Sequence, residues 1–168
     1  MQTRAVQICF TLLCLVAAAA MQELLPAFGG TKAPMLVVFA VYTAFRPSRS
    51  WIAVAVAAGA LEDALNGNPS LCGTCFALLA ATGAHFARAF EYDMPQAAVG
   101  AIAAAIAAPV HEIWLSTWGA LPPECPLFVR FCASALPAAV AGALAFALLP
   151  AAEAFAGFDG PQSGRRRP

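Results

Sequence analysis

This chain is poor in charge. Asp, Glu, Lys and Arg make up 11% of its 168 residues, against about 25% in an average soluble domain. A small soluble domain leaves roughly a third of its unfolded surface exposed. With so few charges, that surface would be alanine and leucine, which drives aggregation. An ordinary cytosolic enzyme is therefore excluded. Basic residues are not in excess either: nine Lys and Arg balance nine Asp and Glu. Without a basic field the chain is no nucleic-acid binder. Nor does the sequence have the low hydrophobicity that keeps a chain disordered.

Catalytic patterns are missing as well. There is no G-x-x-x-x-G-K loop for phosphates. His111-Glu112 opens like a zinc-protease signature, but Leu115 stands where the second histidine is required. His85 and His111 are not spaced as zinc ligands, and no serine nucleophile has a base in register with it. No acid–base pair is visible in mid-span, as a proton or ion transporter would carry. We therefore expect no catalytic residue, no metal and no cofactor.

What the chain does have is hydrophobic residues, at 61%. They fall in runs separated by charges and turn residues. At about 20 residues per crossing, six spans use about 120 residues and leave no room for a second, soluble domain. The expected fold is an all-α integral membrane protein, a compact bundle of about six transmembrane helices. The runs predict spans at 5–22, 33–46, 50–65, 71–88, 94–111 and 131–150. Residues 1–156 form one domain, and 157–168 a disordered cytoplasmic tail.

Turn chemistry agrees with these cuts. Gly29-Gly30 breaks the first loop and Pro34 opens the second helix. Arg46-Pro47-Ser48 and Asn66-Gly67-Asn68-Pro69-Ser70 are turn signals. Asp93 reads as an N-cap before Met94-Pro95. Pro122, Pro123 and Pro126 mark a longer loop. Pro137 predicts a kink near the start of the last helix, or a later start.

Lysine and arginine placement gives the orientation. A cytoplasmic N-terminus puts Arg4, Arg46, Arg49, Arg88 and Arg165-Arg166-Arg167 inside, and only Lys32 and Arg130 outside. Both termini are then cytoplasmic. The alternative for the first segment is a cleaved signal peptide ending near Ala17-Ala18-Ala19-Ala20.

Small residues at four-residue spacing let helix backbones approach closely. Such stripes are Ala55 and Gly59; Ala77, Ala81 and His85; Gly100, Ala104 and Ala108; and Ala135, Ala139, Ala143 and Ala147. They read as packing within one bundle, or as a docking face for a partner helix.

Three polar groups stand out. Glu62 and Asp63 end the third span. They read as a solvated helix end, an intersubunit contact, or a hydrogen bond to the next loop. Adjacent residues point about 100° apart, so both cannot line one groove equally. Cys72, Cys75 and Cys125 fall at the external face and allow a disulfide there, although cysteines in apolar helices are mostly small hydrophobes. His111-Glu112 reads as an interfacial helix end, with Trp114 and Trp118 as belt aromatics.

The middle of the chain resembles a known family. Ala33-Pro34-Met35-Leu36 opens a helix, and the next helix closes on Gly59-Ala60-Leu61-Glu62-Asp63-Ala64-Leu65. Leu71-Cys72-Gly73 then leads into a new apolar helix ending at Arg88. Over residues 33–90 this is similar to the rod shape-determining MreD family. Gly59 and Asp63 match its G-x-x-x-D, Pro34 its opening proline, and Leu71 and Gly73 its leucine–glycine turn, with Cys72 interposed. The resemblance implies a non-enzymatic inner-membrane scaffold of the cell-elongation complex. The implied partners are MreC and peptidoglycan synthases, near the actin-like MreB, with the lipid bilayer as solvent.

Two rival functions stand beside it. The first is the substrate-binding component of an energy-coupling-factor transporter for a vitamin or metal ion. It would gather Glu62, Asp63, Asn66, Asn68, Glu112 and Trp118 around an outward cavity. The second is a thiol-exchange enzyme acting through Cys72 and Cys75.

Overall fold

A computed structural model describes residues 2–24, 32–46, 50–67, 71–88, 95–117 and 126–155. They form six helices: α1 (Gln2–Leu24), α2 (Met35–Phe45), α3 (Trp51–Asn66), α4 (Cys72–Ala87), α5 (Gln96–Thr117) and α6 (Leu127–Phe155). No strand occurs among the described residues. The expectations for Gly29-Gly30, Asp93, Trp118, Cys125 and the tail 157–168 lie outside the described residues.

The shortest helix sits at the centre. α2 is the run MLVVFAVYTAF, apolar on every side, and a helix apolar all round must be buried all round. It touches each of the other five helices. Leu36, Val37, Ala40 and Ala44 are completely buried. At 1.5 Å per residue α2 is only about 16 Å long, and its neighbours shield its ends. Tyr42 and Phe45 meet Phe146 of α6 edge-to-face, with ring centroids 5.2 and 5.6 Å apart.

α5 and α6 form the tightest pair of the fold. Gly100 faces Gly142 with no room for a side chain: a Cβ on Gly100 would lie 2.5 Å from the Gly142 carbonyl oxygen. The stripe Gly100–Ala104–Ala108 is buried as expected. On α6 the buried stripe is Ser134, Ala138, Gly142 and Phe146, not Ala135, Ala139, Ala143 and Ala147. In an alanine-rich helix several stripes look equally small. The buried one is set by Gly142, the residue that lets the backbones touch.

Two span boundaries differ from expectation. α5 continues past residue 111 to Thr117, with Pro109 inside it. α6 starts at Leu127 and runs through Pro137, so the last helix starts earlier than 131. Its start signal is Pro126, whose carbonyl accepts the Val129 N–H at 3.0 Å. A proline at a helix start loses no hydrogen bond.

Three helical segments, Ala5–Leu24, Ala97–Thr117 and Ser134–Ala154, are long and apolar enough to cross a membrane. Large apolar side chains face outward from α1 (Ile8, Leu13, Val16), α5 (Ile106) and α6 (Leu136, Leu148). Polar contacts gather at the two ends of the bundle. One end holds Asp63 and the start of α4; the other holds Arg46, Arg88 and Glu153. They are named here the Asp63 end and the Arg46 end.

Candidate functional site

At the Asp63 end, α3 must lie close to α4 before any polar group can act. Gly59 makes that approach possible, since a Cβ there would collide with the Thr74 backbone and lie 2.9 Å from the Gly73 oxygen. One turn further along, Asp63 faces the first turn of α4. Its Oδ1 accepts the Gly73 N–H at 2.7 Å. Its Oδ2 accepts the Thr74 N–H at 2.9 Å and the Thr74 hydroxyl at 2.7 Å. A Cβ on Gly73 would stand 2.6 Å from Oδ1, so a side chain there would push the carboxylate out of this position.

This contact is a helix cap supplied by another helix. The first amides of a helix have no partner within it, and a Ser, Thr, Asp or Asn at the N-cap normally binds one of them. α4 has Leu71 at that position, left-handed at φ 56°, and Leu71 has no side-chain cap to offer. Asp63 takes over the task, and its charge suits the positive end of the helix dipole. α2 repeats the device. Pro34 opens it, as expected, without a side-chain cap, and Oε1 of the buried Gln22 on α1 accepts the Leu36 N–H at 3.2 Å.

Glu62 turns to a different neighbour. It is 1% exposed, and its Oε1 lies 3.0 Å from Nε2 of the equally buried His111 on α5. The distance is that of an ion pair, but the ring N–H is not aligned as a hydrogen bond, and Oε2 has no protein partner. The Phe76 ring packs on His111 at 4.8 Å. One turn on, the Trp114 indole N–H donates to the Cys72 carbonyl at 3.0 Å. α5 is thus tied to α3 and to the first turn of α4.

Two sequence readings are corrected here. Glu62 and Asp63 are not a solvated helix end; both are buried, each against its own neighbour. His111-Glu112 is not an interfacial helix end either. Both residues are buried inside α5, because the helix continues through Thr117. Cys72 and Cys75 are separate thiols, the first buried and the second exposed. Asn66 is exposed, while Asn68 and Trp118 lie outside the described residues. Glu62 and Asp63, adjacent in sequence, diverge rather than line one cavity.

At the Arg46 end the polar contacts are wetter. Arg46 pairs with Glu153 of α6 at 2.7 Å, with 20% and 25% of the two side chains exposed. The same guanidinium donates to the Tyr42 hydroxyl at 2.7 and 3.0 Å. Arg88 donates to the Arg46 carbonyl at 2.8 Å. Sequence reasoning missed this cluster, the Gln22 cap, Thr74 and the role of His111. Among the described residues no three metal-ligating side chains come together. The arrangement fastens helices to one another.

No protein-family model, curated protein or solved structure matches this chain.

Proposed function

We propose that this chain is a six-span membrane scaffold of the MreD type, holding partners of the cell-elongation machinery in register without catalysing a reaction. The observation that carries the reading is the Gly59–Asp63–Gly73 contact. Three of the five residues behind the resemblance meet at one point, where Gly59 admits the α4 backbone, Gly73 admits the carboxylate and the aspartate caps α4. A G-x-x-x-D followed by a glycine turn therefore has a structural purpose here. Glu62 and Asp63 turned into helix contacts favour a scaffold over a transporter component with an open ligand cavity.

The outward apolar side chains support a lipid-facing surface. Arg46 and Arg88 stand together at one end, with Asp63 at the other, which fits a cytoplasmic Arg46 end and both termini inside. The membrane is then the bacterial inner membrane. MreC and a peptidoglycan synthase are the partners this reading names.

The test is a pull-down of the tagged protein, expressed at native level, after crosslinking in the membrane. Recovery of MreC or a peptidoglycan synthase is the expected result. Recovery of a pair of ATPases with a transmembrane coupling subunit would replace the scaffold with the transporter component.

A further inference from the structure

The two arginines of the Arg46 end are used differently. Arg46 spends its guanidinium on Glu153 and on the Tyr42 hydroxyl. Glu153 is the one acid at this end among the described residues. Arg88, at the close of α4, is exposed, and its Nη1 donates to the Arg46 carbonyl at 2.8 Å. Arg46 is the C-cap of α2, and the last carbonyls of a helix lack partners within it. This bond therefore fixes the Arg88 guanidinium across α2 and α4 without neutralising it. A guanidinium fork carries more donors than one carbonyl can take, and its shape matches a phosphate.

The side chains around Arg88 suit the boundary between lipid and water. One turn back on α4, the His85 ring stacks on Trp51 of α3, with centroids 4.9 Å apart and 19° between the planes. Tryptophan gathers at the depth of lipid headgroups. Phe86 in the last turn of α4 and Ile52 in the first turn of α3 are exposed, so apolar surface and a fixed cation stand at the same level.

We propose that Arg88, held by the Arg46 carbonyl and flanked by the Trp51–His85 stack, binds the phosphodiester headgroup of an anionic phospholipid. The guanidinium takes the phosphate oxygens, and the acyl chains cover Phe86 and Ile52. Arg46 is a positioning residue: its carbonyl holds Arg88 while its own guanidinium stays on Glu153. Charge sets the preference, since a zwitterionic lipid brings a cation of its own to the same place. Free phosphate shares the headgroup chemistry but gains nothing from the apolar side chains. The inference needs the bundle to lie in a bilayer and does not depend on the scaffold partners. A negative pull-down leaves it standing, and its own failure leaves the pull-down untouched.

The test counts lipids retained by the delipidated full chain in an uncharged detergent. Phosphatidylglycerol and phosphatidylcholine of equal chain length are added separately, and bound lipid is read by native mass spectrometry. The parent protein should retain phosphatidylglycerol roughly fivefold better, the gain from one basic residue beside an anionic headgroup. Arg88→Gln should abolish the preference and leave the unfolding midpoint in lipid-free detergent nearly unchanged. Lys32→Gln, at the other end and paired with Glu23 in the parent, should keep the preference. Inorganic phosphate at the lipid's concentration should not displace it. Equal retention of the two lipids by the parent overturns the proposal. So does a preference that survives Arg88→Gln, and so does displacement by phosphate, which would make this a site for soluble anions.

Discussion

At the Asp63 end, the carboxylates and the histidine are buried and spend their polar groups on other helices. At the Arg46 end, Arg46 and Glu153 keep a fifth to a quarter of their side chains exposed. The same need, fastening apolar helices that have little chemical grip on one another, is met by dry contacts in one place and wet ones in the other. The difference shows where specificity is stored. A part-exposed pair can rearrange with its surroundings and contributes little. A buried acceptor with defined donors admits one arrangement, because every alternative leaves a polar group unpaired. The dry end therefore sets the register of α3, α4 and α5, and the wet end adds a tether.

The largest effects should come from breaking the dry end. Gly59→Leu forces α3 away from the Thr74 backbone, and Asp63→Ala orphans two amides and a hydroxyl. Each should cost about 3 kcal/mol or more, read as a lowered unfolding midpoint in detergent. Arg46→Gln at the wet end should cost about 1 kcal/mol or less. Added salt should shrink the Arg46 effect, through screening of the part-exposed pair, and leave the Asp63 effect intact. Equal losses at the two ends would erase the distinction. The smallest effect runs the other way. Leu71 is left-handed at φ 56° and 61% exposed. Leu71→Gly should therefore stabilise the protein by about 1 kcal/mol, as strain is relieved with little burial lost.

How much of this was legible depended on whether the signal was local. Pro34 and the punctuation by charges marked six helices. The stripes Ala55–Gly59, Ala77–Ala81 and Gly100–Ala104–Ala108 each lie on one helix and are buried as read. Asp63 and Gly73 lie in one hairpin, so their meeting was within reach of the sequence. Glu62 and His111 come from helices that are not consecutive in the chain. No spacing rule joins them, and without that join the pair resembled two unrelated helix ends. The extent of α5 was missed because His111 and Glu112 looked like a boundary, when they are polar only towards a partner inside the protein. α6 was misread because its alanines are interchangeable until Gly142 is set against Gly100.

The acids at the Asp63 end couple helices to one another rather than ending a helix in solvent. A double-mutant cycle on Glu62 and His111 tests this coupling most directly, using Glu62→Gln, His111→Gln and the double variant, with unfolding free energies measured in one detergent at one pH. We predict non-additivity of about 1 kcal/mol or more, with the double variant losing less than the sum of the singles. Additivity within about 0.5 kcal/mol would contradict the account, because it would mean that the two side chains do not sense each other.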